Sequence, residues 1–101
     1  MSKQINKTNI LNYLKEHYSE FKDKYSVEQI GLFGSYARDE ATDKSDIDIF
    51  VKMEPSLFKM MDIKEELENY FNKNVDIVRL RDRMNPYLQK RILKDGINAI
   101  W

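Results

Sequence analysis

Asp46 and Asp48 stand two residues apart in Asp46-Ile47-Asp48-Ile49-Phe50-Val51, where β-branched residues alternate with the rest. That alternation has the period of a strand, so the two carboxylates project from one face with Cα atoms ~7 Å apart. Carboxylates on one face repel each other unless a cation sits between them. Oxygen ligands at this spacing suit magnesium, which takes few protein carboxylates and completes its shell with phosphate and water. The polar, solvent-facing side of an edge strand has the same pattern. A third carboxylate, Asp76, lies within Val75-Asp76-Ile77-Val78, where aspartate is a poor strand former. If the two strands are neighbours, Asp76 joins the pair. Three carboxylates can hold two metal ions about 4 Å apart, as in in-line attack on a phosphate, and the third can take the proton of the attacking hydroxyl.

Gly34-Ser35 follows the apolar pair Leu32-Phe33. Glycine lets the backbone approach a ligand closely, and Ser35 offers a hydroxyl and an amide at a helix start, a natural anion site. The same dipeptide also makes a simple strand-to-helix turn. No Lys-Ser or Lys-Thr follows at the spacing of a Walker loop. Arg38, about one turn on, is placed to reach the same anion or to be solvated. Composition narrows the chemistry further. The 101 residues hold no cysteine and one histidine, so neither thiolate catalysis nor a zinc cluster is expected. Seventeen basic residues balance seventeen acidic ones, which disfavours a protein that coats nucleic acid. No run of apolar residues is long enough to span a membrane, and the N-terminal residues do not read as a signal peptide. A small cytoplasmic domain covering residues 1–101 is expected.

The elements that must position these residues read as follows. Ile10, Leu11, Leu14, Tyr18, Phe21 and Tyr25 recur at helical steps and predict one amphipathic helix from about Asn6 to Tyr25. Val27 to Phe33 reads as a strand, and residues 36–45 hold at most a turn or two of helix. After the Asp46–Val51 strand, Pro55-Ser56 breaks the chain. Leu57 to Phe71 is then helical, with Leu57, Met60, Met61, Leu67, Tyr70 and Phe71 available for burial. Asn74 to Arg79 is a third strand. Asn85-Pro86 starts a last helix with a buried stripe of Leu88, Ile92 and Leu93, which Gly96 ends. Ile97, Ala99, Ile100 and Trp101 offer a final short strand. The expected fold is α/β: a small mixed sheet of three to four strands flanked by about four helices. If Ser35 and Asp46 share a site, the first two strands are antiparallel, while the helix joining the second and third allows a parallel crossover.

The remaining residues of interest have bland readings. His17 reads as a surface or half-buried histidine, and Met60 and Met61 as core filler. Tyr36 reads as an exposed turn aromatic, and Arg79, Arg81 and Arg83 as a solvated loop. Trp101 reads as a lid on the core or part of a partner interface.

Gly34-Ser35-Tyr36-Ala37-Arg38, Ser45-Asp46-Ile47-Asp48 and Val75-Asp76-Ile77-Val78 together resemble the signature of the minimal nucleotidyltransferases. These are the smallest members of the DNA polymerase beta-like nucleotidyltransferase superfamily. The resemblance covers nearly the whole chain. It implies that Gly34 and Ser35 hold the β- and γ-phosphates of a nucleotide, with Arg38 near them. It implies that Asp46 and Asp48 bind two magnesium ions, and that Asp76 shares one and activates the acceptor hydroxyl. Larger relatives carry a helical acceptor-binding domain for which 101 residues leave no room, so another protein is expected to supply the acceptor. In this family that partner is commonly a HEPN-domain protein. The pair resembles a toxin–antitoxin system in which AMP from ATP is transferred to a tyrosine of the toxin. The alternative is a catalytically silent protein of this fold that neutralises its partner by binding alone. Three mutually repelling carboxylates favour the enzyme.

Overall fold

The computed structural model describes residues 5–99. In chain order they form α1 (Lys7–Glu16), α2 (Tyr18–Tyr25), β1 (Gln29–Phe33), α3 (Gly34–Ala37), β2 (Ile47–Lys52), α4 (Leu57–Phe71), β3 (Val75–Arg79), α5 (Pro86–Asp95) and β4 (Ile97–Asn98). The four strands make one mixed sheet in the order β3-β2-β1-β4. As expected, β1 and β2 run antiparallel, and β2 and β3 are parallel neighbours joined through α4. β4 adds antiparallel to β1, with Leu32 opposite Ile97.

Strand parity sorts the side chains onto two unequal faces. Ile30 and Leu32 of β1 and Ile47, Ile49 and Val51 of β2 point to one face. There they meet Ile10 and Leu14 of α1, Phe21 of α2, and Ile63, Leu67 and Phe71 of α4 in the main core. On the opposite face Phe33, Phe50 and Ile92 form a much smaller cluster under α5. Asp48 and Asp76 have the parity of this thinly covered face. No described helix is long and apolar enough to cross a membrane.

The long first helix expected from periodicity is divided at His17, which raises the helix count among the described residues to five. The reason is local. The His17 ring stacks on Tyr13 at 4.0 Å, and its Nδ1 lies 3.0 Å from the Tyr13 carbonyl, which also accepts the His17 backbone N–H. A side chain competing for an i−4 carbonyl loosens the helical ladder there. Tyr13, buried against Tyr70 and Phe71, was missed by the apolar count.

Other expectations need correction. Tyr36 is buried rather than exposed, because α3 begins directly at Gly34 and its first turn swings Tyr36 and Ala37 into the main core. Leu57 and Met61 are 71% and 56% exposed and Tyr70 is also exposed. The buried stripe of α4 is Ile63, Leu67 and Phe71, four residues apart each time, and the first turn overhangs the sheet. On α5 only Ile92 is fully buried, Leu88 is half-buried and Leu93 is 79% exposed. Helix α5 offers that face of the sheet only a narrow apolar stripe. Asn85 caps α5 as expected, accepting from the N–H groups of Tyr87 and Leu88. Ile100 and Trp101 lie outside the described residues.

Gly31 pairs with Phe50 across β1 and β2, and the Phe50 ring lies over it. A Cβ there would press on that ring and on the Ile97 carbonyl of β4. The ring can turn aside, but the carbonyl belongs to the ladder. Gly31→Ala is therefore expected to cost about 1–3 kcal/mol. Urea unfolding checks this as a lower midpoint at an unchanged slope.

Candidate active site

Asp48 is the middle side chain of a row of three set by strand register. On one side β1 places Phe33 opposite it, and on the other β3 places Asp76 opposite it. Asp46 immediately precedes β2 and is exposed, as is Asp76, whereas Asp48 is half-buried. The approach to Asp46 is held by a tight loop. Thr42 N–H donates to Ser45 Oγ at 2.8 Å and Ser45 N–H donates to the Thr42 carbonyl at 3.0 Å. The start of β3 is held from α4, where Glu68 accepts from the Val75 N–H at 3.1 Å and from Lys64 at 3.0 Å. Lys64 first, then the Val75 amide, pulls the Glu68 pKa below the ordinary range.

Gly34 adopts φ +78°, and a Cβ there would strike the Asp48 carboxylate. Both facts demand glycine: the left-handed conformation is costly for other residues, and the backbone turn passes against the aspartate. Ser35, the next residue, is partly exposed at the start of α3. The structure thus brings the Gly34-Ser35 turn and Asp48 together, with Asp76 and Asp46 beside Asp48.

The electrostatics of this grouping are unfavourable without a cation. Burial first, then the negative charges of Asp76 and Asp46, raise the Asp48 carboxyl to about 6, while Arg91 and Arg38 work against the rise. Among the described residues no three acidic or imidazole side chains are drawn into a closed metal cage. The aspartates instead form an open row of hard oxygen donors, a donor set that suits a magnesium ion sharing its shell with phosphate and water.

Arg38 is less free than the sequence suggests. Its guanidinium pairs with Glu40 at 3.0 Å and with Asp95 at 2.8 Å, tying the end of α3 to the end of α5. Arg79 reaches the Met53 carbonyl at 3.4 Å, and Arg81 and Arg83 are exposed. Sequence reasoning missed the other walls of the site. A cleft of about 530 Å³ opens beside Asp48 and Asp76, with Leu57, Met60 and Met61 of α4 on one side and Tyr87 and Arg91 of α5 on the other. Met61 is thus a cleft residue rather than core filler. The available signal was the helical spacing of Tyr87 and Arg91 after a firm Asn-Pro helix start.

Comparison with known proteins points the same way. The family model for polymerase beta-type nucleotidyltransferases matches residues 8–100. MJ1379 of Methanocaldococcus jannaschii, provisionally named a protein adenylyltransferase, is 41% identical over 92 residues, covering 87% of this chain and 92% of that protein. The protein adenylyltransferase MntA of Thermococcus cleftensis is 36% identical over 90 residues, covering 87% and 90%. A solved structure described as a minimal nucleotidyltransferase superposes with TM-score 0.74 at 28% identity, covering 95% of this chain and 98% of that one. A complex of a tri-AMPylated Shewanella oneidensis HEPN toxin with its MNT antitoxin gives TM-score 0.62 at 21% identity, covering 90% and 71%, a likeness of fold.

The raised Asp48 carboxyl has a consequence for stability. Its folded pKa lies above its unfolded value near 4, so its contribution is fully favourable below pH ~4 and is lost as pH rises through about 6. In metal-free buffer Asp48→Asn should melt above wild type at pH 7.5, and the gap should close by pH ~4. Its size is at most about 3 kcal/mol, less where solvent screens the rim. Thermal melts across pH in EDTA measure it. A variant less stable at neutral pH would mean that the Asp48 carboxylate holds the fold.

Proposed function

The chain belongs to the polymerase beta nucleotidyltransferases, in their minimal branch, and from that membership we propose that it transfers AMP from ATP to a tyrosine hydroxyl of a HEPN-type toxin and so acts as its antitoxin. Its enzymatic class is that of the protein adenylyltransferases. Residues 1–101 act as one domain in this reading. The observation that carries it is the pairing of Asp48 with Asp76 across parallel strands, directly against the Gly34 turn. The solved complexes of related fold support the choice of partner and nucleotide: one contains a toxin–antitoxin pair with AMP-PNP, another an AMPylated HEPN toxin.

In this reading Asp46, Asp48 and Asp76 hold two magnesium ions. When bound, magnesium neutralises the carboxylates and the phosphate charge and makes the α-phosphorus open to attack. Gly34 and Ser35 present backbone amide and hydroxyl to the β- and γ-phosphates, with Arg38 behind them. The acceptor oxygen forms its bond to the α-phosphorus as the bond to the bridging oxygen breaks. Pyrophosphate leaves with that electron pair, and the acceptor proton passes to the Asp76 carboxylate. Positioning supplies most of the rate in such a transfer. The partner must therefore hold its tyrosine in line, and turnover with small hydroxyl compounds should be slow.

Incubating the purified chain with magnesium, labelled ATP and the HEPN-type product of the neighbouring gene tests this. Intact-mass measurement should show one or more added AMP groups on the partner. Asp46→Ala should reduce the rate by at least about 100-fold, and EDTA should abolish it. Peptide mapping should place the AMP on tyrosine. A partner neutralised equally well by Asp46→Ala, with no added mass, would overturn the reading in favour of binding alone.

A further inference from the structure

The exposed side of α5 carries charge that nothing so far accounts for. Tyr87, Lys90, Arg91, Lys94 and Asp95 follow one another at steps of three, one, three and one residues, so they share one stripe of the helix. That stripe and Arg38 line a second cavity, of about 470 Å³. The cavity adjoins the cleft beside Asp48, because Tyr87 and Arg91 line both. Its walls hold four cations against a single carboxylate, in a chain whose net charge is zero.

Most of this charge is unneutralised. Asp95 is taken by Arg38, as is Glu40. Among the described residues neither Lys90, Arg91 nor Lys94 has a carboxylate within ion-pair distance. Lys94 lies in the last turn, where a cation complements the helix dipole. Lys90 and Arg91 lie mid-helix, and Lys90 and Lys94 repel each other at i,i+4. Arg91 is also oriented: its Nη1 donates to Tyr87 Oη at 3.2 Å, and its guanidinium lies 5.7 Å from that ring's centre. An ordered guanidinium without a carboxylate, shared by two cavities and within electrostatic reach of Asp48, suits an oxyanion.

We propose that Arg91, with Lys90 and Lys94, forms the wall against which the β- and γ-phosphates of the nucleotide sit and along which pyrophosphate leaves. The proposal rests on the adenylyl-transfer reading and extends it. The row of aspartates lies on one side of Arg91 and the cationic pocket on the other. A triphosphate spanning that divide has its α-phosphorus near the carboxylates and its two terminal phosphates among the cations. Arg38, held by Glu40 and Asp95, then serves to brace α3 against α5, and Arg91 is the guanidinium left to meet the anion.

The test is equilibrium binding of ATP, pyrophosphate and AMP, each with magnesium, to the full chain and to Arg91→Gln. Loss of one charge-assisted contact is expected to weaken ATP and pyrophosphate by at least about tenfold and AMP by less than about twofold. Arg91→Lys should restore part of the loss, because it returns the charge without the fork. The double variant Lys90→Gln/Lys94→Gln changes exposed residues only and should show the same discrimination, so the test survives a folding failure of Arg91→Gln. Equal weakening of ATP and AMP, or no weakening of either, would overturn the proposal. So would unchanged ATP and pyrophosphate binding with loss of the HEPN-type partner, which would make the stripe a protein-docking surface. A wild-type chain that binds no ATP would instead remove the adenylyl-transfer reading itself.

Discussion

Crowding of negative charge at Asp48 is the constraint on which the rest of the structure turns. The carboxylate is half-buried, faces Asp76 across a parallel pair, and has Asp46 two residues upstream. Such a group is held ionised only at a cost, because burial and like charges both favour the neutral acid. It stays in place because its backbone belongs to the central pair of strands, whose opposite face carries the main core. The stability of the domain is thus generated on one side of the sheet and the strain of the site is carried on the other. Strand alternation makes that division sharp, since a register slip of one residue would exchange the two faces.

The thin face is what makes the site accessible. Among the described residues it is covered by α5 and by Leu80 and Met84 of the segment before it, over the small cluster of Phe33, Phe50 and Ile92. The cleft beside the aspartates lies between α5 and the overhanging first turn of α4, and exposed apolar side chains such as Leu57 and Met61 border it. A broader apolar stripe on α5 would have closed this space. The helix is started by the Asn85 cap, anchored by Ile92 and tied at its end to α3 by the Arg38–Asp95 ion pair. Its outward side is left to present polar groups. Gly34 completes the arrangement from β1, because its left-handed backbone lets the turn pass against the Asp48 carboxylate.

Much of the architecture was legible in the residues. Periodicity located the three main strands and α4, and Asn85-Pro86 marked the start of α5. These are local signals: strand alternation, a cap and a proline act within a few residues, whatever surrounds them. The reading that Ser35 and Asp46 share a site, together with the crossover through α4, led to the mixed sheet that the structure contains. The residue types at positions 46, 48 and 76, and their strand parity, were sufficient to suggest hard oxygen donors on one face.

What only the tertiary structure decided concerns contacts between distant residues, for which a single chain carries no local signal. Apolar type alone did not separate Ile63, which is buried, from Leu57 and Met61, which border the cleft. Which side of a helix meets the sheet depends on the packing of the whole layer. Tyr36 reads as an exposed turn aromatic from its place beside Gly34-Ser35, but the immediate start of α3 turns it inward. Arg38 looked available, and a carboxylate 57 residues further on occupies it. No motif in the sequence marks Arg91, and it is the docking of α5 that places it beside both the aspartates and a cationic pocket. Sequence by itself determined the chemistry of the donors and the elements that carry them. The fold determined which of those charges are spent on each other and which remain for a ligand, because electrostatic pairing depends on distance in space and not on separation along the chain.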